Sequence, residues 1–151
     1  MSRYTYMTIP KTSHIFNRIC DYCDKKIVKE NLSENGGTLN YSGIIFDSDI
    51  LIVCLDKTTP VAFNSIVELN DCLYIYQIAV KNTHKKQGIG ETLMHKAITI
   101  AESKKKPVTA HVRDYNIASN HLFQKLGFTA IEPGSNTLYI LETNKKIKGK
   151  K

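Results

Sequence analysis

The clearest chemistry in the chain sits in the run Ile78-Ala79-Val80-Lys81-Asn82-Thr83-His84-Lys85-Lys86-Gln87-Gly88-Ile89-Gly90-Glu91-Thr92-Leu93. An apolar strand ends there, a basic glycine loop follows, and a helix begins. A helix start leaves backbone N–H groups without intrahelical partners and carries the positive end of the helix dipole. Gly88 and Gly90 have no Cβ, so the backbone comes close to a ligand without obstruction. Together these features make a cradle for a pyrophosphate, and Lys85 and Lys86 add charge. The Walker A loop does not fit, because no Gly-Lys-Ser/Thr follows the glycines. The dinucleotide fingerprint GxGxxG does not fit either, because Leu93 stands where its third glycine belongs.

A second run follows one helix and one strand later: Asn116-Ile117-Ala118-Ser119-Asn120-His121-Leu122-Phe123-Gln124-Lys125-Leu126-Gly127-Phe128. Each residue has an ordinary structural explanation. Asn116 is a helix cap, Leu122 and Leu126 are core, and Gly127 is a helix stop. Their occurrence after the first run, in this order, is more specific. Lys85-Lys86-Gln87-Gly88-Ile89-Gly90 resembles the pyrophosphate motif Gln/Arg-x-x-Gly-x-Gly/Ala of the GNAT N-acetyltransferases, with Lys85 in the first place. The second run is similar to that family's Asn-x-x-Ala/Ser-x-x-Leu-Tyr-x-Lys-x-Gly-Phe. The resemblance covers Cys72 to Glu142.

The resemblance implies a mixed α/β fold, with a mostly antiparallel central sheet, a splayed parallel strand pair and flanking helices. It implies acetyl-CoA as co-substrate, no metal, and direct attack of a primary amine on the thioester within a ternary complex. The pantetheine arm would pair with Ile78, Ala79 and Val80, and a backbone N–H there would stabilise the oxyanion. The pyrophosphate would lie on Lys85, Lys86, Gln87, Gly88, Ile89 and Gly90, with Glu91 and Thr92 in the first helical turn. Asn116 would touch the pantetheine, and Ser119 and Phe123 would lie beside the coenzyme.

Phe123 departs from the family, where many members have a Tyr that protonates the departing thiolate. A phenyl ring has no proton to give; Tyr115, Tyr139 or a water are substitutes. The thiolate is also a fair leaving group unaided, since a thiol pKa is about 8.5. The attacking amine must be neutral, and a free alkylamine has a pKa of about 10.4. Two candidates for the group that takes its proton are Tyr74, near the place where some relatives carry a Glu, and Glu68 on the preceding strand, acting through water. Glu68 also reads simply as a solvated carboxylate before a turn.

The elements that must position these residues are legible in the periodicity. Ile15, Phe16, Ile19, Cys20, Cys23, Ile27 and Val28 predict a helix from about Ser13 to Asn31. Asn35-Gly36-Gly37 breaks the pattern. Strands are expected at Asp49–Leu55, Pro60–Leu69 and Cys72–Val80, joined by short turns as an antiparallel meander. Leu93, Ala97, Ile100 and Ala101 mark one face of the helix after Gly88. Pro107–Val112 follows as a strand, which makes Cys72–Val112 a right-handed βαβ unit. A short helix from about Ala118 to Leu126 and closing strands at Phe128–Ile131 and Thr137–Glu142 complete the pattern.

The 151 residues suit one domain, taken as residues 1–144, with a basic tail over 145–151. The net charge of +7 lies partly in Lys145, Lys146, Lys148, Lys150 and Lys151, which read as a solvated tail. The other lysines sit in a glycine loop without interleaved aromatics, so nucleic acid is not the expected partner. No apolar run reaches the ~20 residues of a membrane span, and no signal core opens the chain. A cytoplasmic protein is expected, acting on an amine-bearing small molecule or peptide; a homodimer is compatible with it. Cys20-x-x-Cys23 lacks the further ligands of a zinc site and reads as packing, as do Cys54 and Cys72. The rival reading is a coenzyme-binding regulatory module on the same fold that acetylates no amine.

Overall fold

The computed structural model describes residues 3–34 and 47–143; the Asn35-Gly36-Gly37 break and the lysine-rich tail lie outside them. The strands are β1 (Tyr4–Pro10), β2 (Ile50–Asp56), β3 (Thr59–Glu68), β4 (Leu73–Val80), β5 (Val108–Arg113), β6 (Thr129–Ile131) and β7 (Asn136–Leu141). They form one sheet in the order β1-β2-β3-β4-β5-β7-β6. All neighbours are antiparallel except β4 and β5. The helices are α1 (Phe16–Cys23), which continues through a π-helical turn at Asp24–Val28 into α2 (Lys29–Glu34), then α3 (Ile89–Lys104) and α4 (Ile117–Lys125). This is the mixed sheet with one parallel pair that the sequence implies.

The apolar run of β2 is continuous because both faces of the sheet are covered. Leu51 and Val53 join Phe63 against Phe16, Cys20, Cys23 and Ile27. Ile52 and Cys54 turn the other way, to the core that Leu93, Met94 and Ala97 of α3 share with Ala62, Ile66, Leu73 and Ile75. Burial of one such aliphatic side chain is worth roughly 1.5–3 kcal/mol, so both layers are held to the sheet by many small contributions. Burial pushes the Cys20 thiol up to about 12 and raises that of Cys23 as well. Thiols held in the protonated form are neither nucleophiles nor metal ligands. They pack, as the sequence suggests. Among the described residues no helix is long and apolar enough to cross a membrane, and no three His, Cys, Asp or Glu side chains group to hold a metal.

Strand β1 is an addition to the expected layout, which begins with a helix. Tyr4-Thr5-Tyr6-Met7-Thr8-Ile9 is rich in aromatic and β-branched residues, as strands are. Its side chains are mostly exposed because it forms the sheet's edge, so it lacks a clear apolar face. The first helix also differs in detail. It starts at Phe16 rather than Ser13 and contains the π turn, within which Asp24 is 5% exposed and meets Lys29 at 3.5 Å.

The site depends on what happens in the middle of β4. Its register to β3 skips one residue: Ile66 faces Ile75 and Ser65 faces Gln77, which leaves Tyr76 as the bulged residue. A bulge bends a strand and reverses which side chains face which side. Before it, Leu73 and Ile75 point into the α3 core; after it, Ile78 and Val80 do. The parallel pairing to β5 stops at the same place, with Leu73, Tyr74 and Ile75 matched to Val108, Thr109 and Ala110. Beyond it the two strands part.

Candidate active site

The parting of β4 and β5 opens a cleft. One end, of about 460 Å³, is lined by Ile75, Tyr76, Gln77 and Ile78 of β4, Ala110, His111, Val112 and Arg113 of β5, and Asn116, Ser119 and Phe123. The other end, of about 400 Å³, is lined by Asn31, Ile78, Ala79, Val80, His84, Lys85, Lys86, Gly88, Ile89, Gly90, Asn116, Ala118, Ser119 and Leu122. Ile78, Asn116 and Ser119 line both, so the two ends adjoin along these residues.

The basic end is built for an anion. Gly88 caps α3 in the left-handed region (φ 81°), and no side chain caps that helix. The first intrahelical bond near the start runs from Thr92 N to Gly88 O at 3.0 Å. The N–H groups of Ile89, Gly90 and Glu91 precede it and have no carbonyl of their own helix. Lys86 also holds a positive φ of 63°, uncommon for a residue with a Cβ, so the loop is bent twice within three residues. By contrast, α4 is capped: Ser119 N donates to Asn116 Oδ1 at 3.2 Å.

Most of the residues singled out in the sequence come together here. Ile78, Ala79, Val80, Lys85, Lys86, Gly88, Ile89, Gly90, Asn116 and Ser119 line the cleft. Gln87, Glu91 and Thr92 do not contribute side chains to it. The Gln87 side-chain Oε1 accepts from Tyr4 OH, and Thr92 Oγ1 donates to Gly88 O. Glu91 meets Lys125 at 3.0 Å, which holds its carboxyl below the usual range and offsets a negative charge that would oppose an anion. Phe123 is only 1% exposed. It closes the floor of the cleft between Phe128, edge-on at 5.0 Å, and Tyr139, stacked at 5.5 Å.

The candidates for proton transfer separate. Tyr74 OH and His111 Nδ1 are 2.9 Å apart, on the sheet face opposite α3, beside the cleft end that His111 lines. Partial burial, then Tyr76, raises the Tyr74 phenol above its ordinary pKa, so it stays protonated at neutral pH. Glu68 lies elsewhere. Its strand register sets it opposite Leu73, at the hairpin turn. There Lys106 at 3.1 Å and Lys104 at 3.3 Å hold it and keep its carboxyl ionised below the usual range. A base so stabilised, in a different depression of the surface, is displaced from this role. Neither of the other two candidate proton donors, Tyr115 and Tyr139, lines the cleft. Tyr115 is 77% exposed, and Tyr139 OH donates to Asn120 Oδ1 at 2.6 Å while accepting from Gln124.

Several lining residues were not assigned to the site from sequence, among them Asn31 and His84 at the basic end and His111 and Arg113 at the other; Leu122, a position of the second motif, read only as core. Asn31 Nδ2 donates to Val80 O at 2.8 Å, and its Oδ1 accepts from Asn82 N at 3.0 Å. It thus bonds the end of β4 much as a neighbouring strand would. His84 Nε2 lies 2.9 Å from Asp56 Oδ2. Arg3 forks onto the same carboxylate at 3.0 and 2.6 Å. These contacts, Arg3 first, pull the Asp56 carboxyl down to about 2, so an ionised Asp56 ties the basic loop to β1 and β2.

A family model described as the acetyltransferase (GNAT) family matches residues 20–128. No curated protein matches the chain by sequence. Among solved structures, the chain resembles the PaiA N-acetyltransferase of Thermoplasma acidophilum, determined with coenzyme A (TM-score 0.69, 14% identity, covering 94% of this chain and 99% of that one). It also resembles NAA60 of Arabidopsis thaliana, determined with a bisubstrate analogue (TM-score 0.65, 14% identity, 91% and 97% covered). A third is the ribosomal-protein-S18-alanine N-acetyltransferase of Escherichia coli (TM-score 0.60, 17% identity, 91% and 90% covered). At these identities the likeness is one of fold.

Proposed function

The chain belongs to the acetyltransferase (GNAT) family, and from that premise we propose that it moves the acetyl group of acetyl-CoA to a primary amine, by direct attack with both substrates in the cleft. The observation that carries this is a pair of adjoining cavities, reaching from an uncapped helix start to the parted strands beside Tyr74 and His111. Acetyl-CoA fits it in kind: a polyanionic end for the lysines and free N–H groups, and a narrow polar arm for the stretch of β4 that has parted from β5.

When bound, acetyl-CoA supplies a thioester carbonyl open to attack. The N–H groups at the start of α3 hold the pyrophosphate, with Lys85 and Lys86 adding charge. The parallel ladder of β4 with β5 ends at Ile75, and beyond it the β4 amides orient the pantetheine as an added strand would. A backbone N–H at the bulge stabilises the oxyanion, and fixed orientation supplies much of the rate. Tyr74 and His111 take the proton from the amine. With Nδ1 protonated, the imidazole donates to the Tyr74 oxygen and leaves Nε2 as acceptor. Phe123 gives no proton, so the departing sulfur is served by water.

The test is turnover: thiol release from acetyl-CoA across a panel of amines, with the acetylated product identified by mass. Tight coenzyme binding without acetylation of any amine would leave the regulatory-module reading in its place. Replacing Lys85 and Lys86 together with Ala should weaken acetyl-CoA binding by about 1–2 kcal/mol. Calorimetry should show that loss shrinking at high salt, and removal of Lys145 to Lys151 should leave the affinity alone. Equal losses from loop and tail would reduce the effect to bulk charge.

A further inference from the structure

Resting on the acetyltransferase reading, we infer that the acceptor is an amine with a carboxylate close to it, and that Arg113 reads that carboxylate. The split end of the cleft is lined by one permanently charged side chain, Arg113, and by no Asp or Glu among its described residues. Arg113 lies two residues from His111 on β5. Both are exposed, while the alternate residues Val108, Ala110 and Val112 are buried in the α3 core. Arg113 therefore stands on the same face as the Tyr74–His111 pair. Its backbone is fixed, since Asn116 N and Asn120 Nδ2 both donate to its carbonyl oxygen, at 3.0 and 2.9 Å. Among the described residues its guanidinium has no carboxylate partner, whereas Glu30, Asp49, Asp56, Glu68 and Glu91 each have a cation.

This arrangement selects by charge. A polyamine or an aminoglycoside would bring further cations to a wall that offers Arg113 and no carboxylate. Such like-charge approach is a standard means of rejecting a wrong partner. A carboxylate beside the amine instead meets a planar guanidinium, which binds it through two parallel hydrogen bonds. Two sources present this chemistry: the α-carboxylate of a free amino acid, and an acidic side chain next to a peptide's N-terminus.

The experiment compares alanine with alaninamide, and the peptide amide Ala-Glu-Ala-Ala with Ala-Lys-Ala-Ala, in turnover and in calorimetric binding to the coenzyme-A-loaded protein. One or both anionic acceptors should exceed their counterparts in kcat/KM by about 10- to 100-fold, the range for hydrogen bonds to charged groups. Which pair shows the gap names the source. In Arg113→Gln the gap should close through the acceptor's KM rather than kcat, and Arg113→Lys should restore part of it. A wild type without the gap, or a gap that survives in Arg113→Gln, overturns the proposal while leaving acetyl transfer standing. Anion-dependent binding without turnover supports anion recognition and removes the transferase reading. Neither turnover nor such binding overturns both.

Discussion

Gly90→Glu is expected to abolish acetyl-CoA binding in calorimetry, a loss of at least about a hundredfold, in a protein that still folds. A Cβ at Gly90 would meet Leu122 Cδ2 at 3.8 Å and Val80 Cγ2 at 3.9 Å, which is ordinary contact. The position therefore tolerates a side chain in the ligand-free state, and Gly90→Ala is the control for folding. Both neighbours line the cleft, so the longer glutamate side chain enters the ligand's space. Its carboxylate would compete for the N–H groups of the first turn. Two unit charges at 4 Å repel by about 1 kcal/mol in bulk water and about 4 kcal/mol near a protein surface. Gly88→Glu should show the same binding loss with an added penalty, because its φ of 81° costs a residue with a Cβ roughly 1 kcal/mol or more. Unchanged affinity in a folded Gly90→Glu protein would remove the glycine loop from the site.

The parts of this site that the sequence discloses are those whose chemistry demands particular residues at fixed spacing. Gly88 and Gly90 at a helix start, and Asn116 capping the next helix, are local requirements, and the structure has them as expected. The parting of β4 and β5 was expected from the resemblance rather than from the residues. Nothing in Leu73-Tyr74-Ile75-Tyr76-Gln77 announces that Tyr76 will be bulged, because a bulge is decided by the register to Ser65 and Ile66 on another strand. The bracing of the loop was illegible for the same reason. Arg3, Asp56 and His84 form one ionic cluster across 81 positions of chain, and each alone reads as an ordinary surface group. Asn31 reaches the end of β4 from a helix whose π turn shifts its phase, which a regular helical periodicity does not predict. Glu68 is the converse case. In sequence it lies near Tyr74, but a hairpin folds it to the turn, where Lys104 and Lys106 claim it.

Loss of either member of the Tyr74–His111 pair is expected to lower kcat by about a hundredfold, the low end of what positioned acid–base groups contribute. Tyr74→Phe keeps the ring and removes only the hydroxyl that lies 2.9 Å from His111. His111→Ala removes the imidazole from an exposed position, so neither change should unfold the protein; the lost hydrogen bond is worth only about 0.5–1.5 kcal/mol. Coenzyme affinity should hold in both, since neither residue lines the basic end. If the two act as one relay, the double variant should be little worse than either single one, because groups that work as a unit are not additive. Losses that multiply would mean separate roles. The pH profile then tests what the pair is for. Its task is to take a proton from an ammonium, so the defect should fade as solution pH rises past the acceptor's own pKa and the amine arrives neutral. For a peptide's N-terminal amine, with a pKa of about 7.7–8.0, the gap to wild type should largely close by about pH 9. For a lysine-like amine, with a pKa of about 10.4, it should persist there. Of the two sources that Arg113 is inferred to favour, a peptide's N-terminal amine predicts the first outcome, whereas a free amino acid's amine is held protonated to higher pH by its own carboxylate, so its gap closes later. A defect that persists unchanged well above the acceptor's own pKa would show that the pair orients the acceptor rather than deprotonating it.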